Sequence, residues 1–99
     1  MNQTERIAYM EGVLNEASAA ADSLSSALER YGAILPRIRE LEAYYTGPQW
    51  MRDYEDDCAG RLPQGLLRGV LSEDAVFDLL RRVEEIKAAM REMSAPSEI

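Results

Sequence analysis

The sequence predicts an all-α fold, and three observations predict it. Ile7, Met10, Leu14, Ala17, Ala21, Leu24, Leu28, Tyr31, Leu35 and Ile38 follow one another in alternating steps of three and four. The same spacing returns in Val76, Leu79, Leu80, Val83, Ile86, Met90 and Met93. Between and around these runs, no segment shows the period-two alternation of a strand. A step of three and four keeps apolar side chains on one face of a helix, so each run must be seated against something.

The first helix is expected over about residues 4–45. Glu5, Arg6, Glu11, Glu16, Asp22, Ser25, Ser26, Glu29 and Arg30 lie between the stripe residues and form a solvated face. Ala17 and Ala21 at mid-stripe let a partner helix approach closely. Leu41 and Tyr45 extend the stripe at helical spacing. Pro36 removes one backbone hydrogen bond and crowds the carbonyl of Gly32, four residues earlier. The chain either breaks around Gly32–Leu35 or continues with a kink. The heptad keeps its phase across Pro36, which favours a kinked helix. Such a helix would span roughly 60 Å at 1.5 Å per residue. That is long beside the ~13 Å radius of gyration expected of a domain this size.

Thr46-Gly47-Pro48-Gln49 reads as a second helix start, with Pro48 in the first turn. A short helix over 47–58 follows. Gly60, Pro63, Gly65 and Gly69 punctuate residues 59–71, where Leu62, Leu66, Leu67, Val70 and Leu71 supply apolar anchors. That connection is too apolar for a disordered linker. A last helix is expected over 72–94. Ser72 stands as its N-cap, and Glu73 and Asp74 place negative charge in the first turn, where the helix dipole favours it. The tail from Ser94, with Pro96, is expected to fray.

These elements form one all-helical domain over residues 1–99, since the length suits a single core. The long helix is expected antiparallel to the C-terminal one, joined by the compact middle segment. Its ten-position stripe faces only seven positions on the C-terminal helix. A homodimer that completes a helical bundle is the simplest way to cover the remainder.

Composition narrows the chemistry. Eleven Lys+Arg stand against 18 Asp+Glu, for a net charge of −7, with no histidine and one cysteine. Without histidine there is no Ser-His-Asp or Cys-His catalysis and no imidazole metal ligand. One thiol makes neither an internal disulfide nor a structural zinc site, and it fits a reducing, cytoplasmic setting. The acidic balance argues against nucleic acid as a partner. No apolar run approaches a membrane span, and MNQTERIAYMEG lacks the basic and apolar regions of an export signal. The charge is −3 over residues 1–47, −1 over 48–71 and −3 over 72–99. That spread reads as solvated helix faces rather than a binding tail.

The middle of the chain carries a resemblance. Tyr44-Tyr45, Trp50, Asp53-Tyr54, Asp57, Gly60, Leu62-Pro63 and the run Arg68–Ala75 (RGVLSEDA) are together similar to the signature of a small bacterial family, domain of unknown function 4298. Leu67 departs from it where a lysine is expected, and Cys58 departs where a carboxylate is common. The resemblance implies a bacterial cytosolic all-helical protein and no particular activity.

The candidate interaction and family-motif residues are therefore Tyr44, Tyr45, Trp50, Asp53, Tyr54, Asp57, Arg68, Gly69, Ser72, Glu73 and Asp74. The run Asp53, Glu55, Asp56, Asp57 lacks the ligand spacing of a calcium loop and reads as a solvated helix end. Arg68 is expected to lock the connection by pairing with Asp53 or Asp57. Trp50 and the tyrosines close the end of a core or anchor an interface. Cys58 follows three acidic residues, which disfavour its thiolate, and Ser72 has no base to activate it. No catalytic, cofactor-binding or metal-ligating residue is assigned. The expected function is a structural or protein–protein interaction module. An acidic regulator docking on a basic partner is the alternative, and a carboxylate- or metal-dependent enzyme comes third.

Overall fold

A computed structural model describes residues 1–96 of the chain. The described residues form three α-helices and one 3-10 turn, with no strand among them: α1 is Gln3–Thr46, α2 is Pro48–Cys58, the 3-10 turn is Gly69–Leu71 and α3 is Ala75–Met93. The fold is all-α. The fraying expected of the tail concerns, for residues 97–99, positions outside the described residues.

The chain divides into two units, Met1–Arg37 and Ile38–Ile99, with the boundary inside α1 one residue after Pro36. The first unit is helix alone. Asn2 starts it, its Oδ1 accepting the backbone N–H of Glu5 at 2.8 Å, which satisfies one of the orphan donors of the first turn. The helix then runs unbroken through Pro36. None of its residues is buried. Within residues 1–37 only Tyr31 and Leu35 are half-buried.

Here the structure corrects an expectation. The stripe expected to be seated along the C-terminal helix is left open: Ile7, Met10, Leu14, Leu24 and Leu28 are all exposed. Length is the physical reason. The 44 residues of α1 and the 19 of α3 rise about 66 Å and about 29 Å at 1.5 Å per residue, so α3 is too short to line the whole of α1.

The second unit holds the core. It begins with the last turns of α1, where Ile38, Leu41, Tyr44 and Tyr45 are half-buried. Gly47 makes the corner. A Cβ there would meet the carbonyl oxygen of Ala43 at 3.0 Å, so any side chain would press on the preceding helix turn. Pro48 then opens α2, where its missing N–H costs nothing. At the other end of α2, Gly60 adopts φ +72. Its N–H reaches the Asp57 carbonyl at 3.0 Å, and the Arg61 N–H reaches that of Asp56 at 2.9 Å. This is a Schellman closure, which turns the chain back on itself.

Among the described residues, Trp50 of α2, Leu71 of the 3-10 turn, and Val76 and Val83 of α3 are the buried ones. Both α2 and α3 pack on the turn, which lies between them as a wedge. Leu66, Leu67 and Val70, expected as anchors, are exposed instead. Within the turn Gly69–Leu71, Leu71 is the side chain that points inward, while Leu66 and Leu67 lie ahead of the turn. Along α3 the inward face is Val76, Leu80, Val83, Lys87 and Met90, while Leu79, Ile86 and Met93 of the predicted stripe are exposed.

Candidate functional site

The family-motif residues gather at the junction of α1, α2 and the 3-10 turn, all within the second unit. Trp50 is the centre. Its ring stacks on Tyr54 one turn later, with centroids 5.2 Å apart and planes at 12°. Tyr45 meets it edge-on at 5.1 Å and 74°. Both geometries suit the ring quadrupoles. The indole Nε1–H donates to the Val70 carbonyl at 2.9 Å, which ties α2 to the 3-10 turn.

A set of polar pairs surrounds this aromatic centre. Tyr44 Oη donates to Asp53 Oδ2 at 2.6 Å, joining α1 to α2. Tyr54 Oη donates to Glu73 Oε1 at 2.7 Å, joining α2 to the start of α3. Tyr45 Oη lies 3.5 Å from the Glu73 carbonyl, at the outer limit of a hydrogen bond. Arg68 Nη1 pairs with Asp57 Oδ1 at 2.8 Å, with both side chains about two-thirds shielded from solvent. Of the two partners expected for Arg68, Asp57 takes it and Asp53 goes to Tyr44.

The electrostatics follow from these pairs. Partial burial of the Tyr44 hydroxyl, then its hydrogen bond to Asp53 and that carboxylate's charge, push the phenol up to about 12. Tyr54 is also pushed up, chiefly by its hydrogen bond to Glu73 and next by Cys58 beside it. Each phenol is thus held protonated as a donor to a carboxylate.

The remaining motif residues serve the chain's path. Ser72 has extended backbone, and its Oγ accepts the N–H of Ala75 at 3.2 Å, the geometry of an N-cap. The first regular bond of α3 runs from the Asp78 N–H to the Asp74 carbonyl, at 2.8 Å, so the helix proper begins three residues after its cap. Gly69 opens the 3-10 turn, and its carbonyl accepts the Ser72 N–H at 3.2 Å. Asp74 contributes backbone and no side-chain cap.

The acidic run is divided among separate partners: Asp53 with Tyr44, Asp56 with Arg61 at 3.0 Å, and Asp57 with Arg68. Among the described residues, no three His, Cys, Asp or Glu side chains are grouped to hold a metal ion. Chemically the arrangement is a clasp. Tyr44, Trp50, Tyr54 and Arg68 tie α1, α2 and the segment leading into α3 together, and Cys58 stays free and exposed at the end of α2.

Sequence reasoning missed two members. The Val70 carbonyl is a backbone group, and no residue type announces it. Arg61 could have been found, because a glycine closing a helix brings the following residue back over its last turn.

No curated protein and no solved structure matches the chain. Leu67, one of the two expected departures from the resemblance, is 94% exposed, a position where a lysine would be as much at home. The family described as domain of unknown function (DUF4298) matches residues 7–93, nearly the whole of both units, and the chain belongs to it.

Proposed function

We propose that the chain is a helical interaction module that acts by binding rather than by catalysis. In this reading the second unit is a clasped head, and the first unit presents the docking face. One observation carries it. Ile7, Met10, Leu14, Leu24 and Leu28, at heptad spacing on a single helix, are 60%, 56%, 59%, 57% and 46% exposed. Scattered apolar residues on a surface need no explanation, but an ordered stripe of them does. Its spacing suits another helix laid along it, with apolar anchors at every third or fourth residue.

The setting proposed is the bacterial cytoplasm, supported by the free, exposed thiol of Cys58, which a reducing compartment would preserve. No helix among the described residues is long and apolar enough to cross a membrane.

A photo-crosslinking amino acid placed at Leu14, and separately at Ser26 on the opposite face, tests the reading in living cells. Adducts are expected at Leu14 and not at Ser26. Equal adducts at the two positions, or none at either, would overturn it.

A further inference from the structure

The order of side-chain sizes along the stripe, which is exposed from Ile7 to Leu28 and half-buried at Tyr31, carries more than the need for a partner. Read from Ile7 to Tyr31, the stripe is Ile7, Met10, Leu14, Ala17, Ala21, Leu24, Leu28, Tyr31. It is symmetric about residue 19. Three large residues lead to two alanines, and three large residues follow. Laid antiparallel on a second copy of itself, the helix sets Ala17 level with Ala21, Leu14 with Leu24, Met10 with Leu28 and Ile7 with Tyr31. Each pair occurs twice, as a two-fold interface requires, since residue i meets j while j meets i. We infer that the docking face of residues 7–31 is occupied by the same face of a second copy, packed antiparallel with its crossing at Ala17 and Ala21. This rests on the interaction-module reading above and names the partner.

Three further features support the arrangement. The stripe runs for about three and a half heptads, which reaches the length a coiled coil needs. The positions flanking it from residue 13 to 34 are Val13, Ser18, Ala20, Ser25, Ala27, Gly32 and Ile34. None carries a charge and most are small, so two backbones can approach closely at the crossing without desolvating an ion.

The third feature is charge, and it decides the direction. Residues 38–99 hold eight Lys+Arg and 13 Asp+Glu, a net of −5, against −2 for residues 1–37. In a parallel pair, the points where the two chains leave the paired segment lie side by side, and two −5 units start from the same end. In the antiparallel pair those points, at Tyr31 of each copy, are about 36 Å apart at 1.5 Å per residue. That exceeds the Debye length of about 8 Å at physiological salt several times over. The parallel pair would offer one kind of compensating contact, Arg6 with Glu11, made twice but exposed and therefore weak.

The test uses the full chain with Cys58→Ser as background. Light scattering at tens of micromolar is expected to read twice the 11.1 kDa chain mass. Ser18→Cys and Leu28→Cys are then treated with a short bis-maleimide. The antiparallel register brings residue 18 of the two copies together and holds the two residues 28 about 27 Å apart by helix rise. Ser18→Cys should therefore form the covalent dimer at least about tenfold faster, through the raised effective concentration of its own copy. Faster coupling at Leu28→Cys would establish a parallel pair and overturn the inference, as would a dimeric mass with neither variant coupling.

A monomeric mass would remove the second copy altogether. The interaction-module reading would still stand in that case if the Leu14 photo-adduct were found with another protein, and would fall with it if no adduct formed.

Discussion

Leu14 and Leu71 are the same residue type in one chain of 99 residues, and they end at opposite extremes: Leu14 is 59% exposed and Leu71 is 5% exposed. Both belong to apolar patterns that ask for cover. Leu14 sits in the first unit, where among the described residues no side-chain hydrogen bond joins the helix to another element. Leu71 sits in the second, where Trp50, Tyr44, Tyr54 and Arg68 each bind one element to the next. Apolar spacing thus says that a face has to be covered, whereas directional polar contacts say what covers it. Burial is non-directional and accepts any apolar neighbour. A hydrogen bond accepts only a partner in the right place.

The largest effect should come from removing the centre of the clasp. Trp50→Ala takes away a buried ring, two aromatic contacts and the bond to the Val70 carbonyl. A loss of about 3–5 kcal/mol in unfolding free energy is expected by analogy with large core truncations. Leu14→Ala in the dilute chain should stay within about 0.5 kcal/mol, as surface changes do. Equal costs in urea titrations of the two variants would dissolve the contrast between the units.

Arg68→Ala comes next. It leaves Asp57 without its partner at a site where both side chains keep about a third of their exposure. A cost near 1 kcal/mol is expected, between the values of surface and buried pairs. Thermal melts with and without high salt would read it, and the deficit of the variant should shrink as salt rises. An unchanged midpoint would show that the pair adds nothing to the clasp.

The phenols predict an alkaline weakness confined to the second unit. Because the folded chain raises Tyr44 from 10 to about 12, its hydrogen bond contributes stability that is fully present below pH 10. That contribution is lost as pH climbs from 10 through 12. Tyr44→Phe should be somewhat less stable than the parent at pH 8, and the difference should close toward pH 12. Parallel stability curves across that range would remove Tyr44 from the clasp.

The smallest effect lies in the first unit. A Cβ added at Gly12, in the helix interior, would meet nothing within 4 Å. Gly12→Ala should therefore raise helix stability by up to about 1 kcal/mol, through the reduced entropy of the unfolded chain. Circular dichroism of the dilute protein would show it as higher helicity. Destabilisation instead would mean that the glycine serves a contact yet to be found.

Much of this architecture was legible beforehand. The helix over about 4–45 emerged as Gln3–Thr46, because a heptad kept over four repeats leaves few alternatives. Gly47 and Pro48 marked a corner that needs a small residue and a ring without an N–H. Ser72 announced the start of α3 through its cap, although the helix proper opens at Ala75. At the site, the sequence narrowed Arg68 to two carboxylates but could not choose between them. The choice depended on which side of α2 faces the returning chain, a matter of how the Schellman closure at Gly60 turns it. Leu66, Leu67 and Val70 looked equivalent to Leu71 for a similar reason, since composition does not say which residue of the connection points inward.

The sequence by itself determined the helices, their ends, the acid-rich solvated faces and the chemistry that a chain without histidine has to do without. These properties are local: spacing, capping and residue type act over a few neighbours along the chain. Only the tertiary structure decided that Trp50 would bind the Val70 carbonyl, that Asp57 rather than Asp53 would hold Arg68, and that the stripe from Ile7 to Leu28 would be left uncovered. Those outcomes depend on distances between residues far apart in sequence, and on α3 being less than half as long as the helix it was expected to cover.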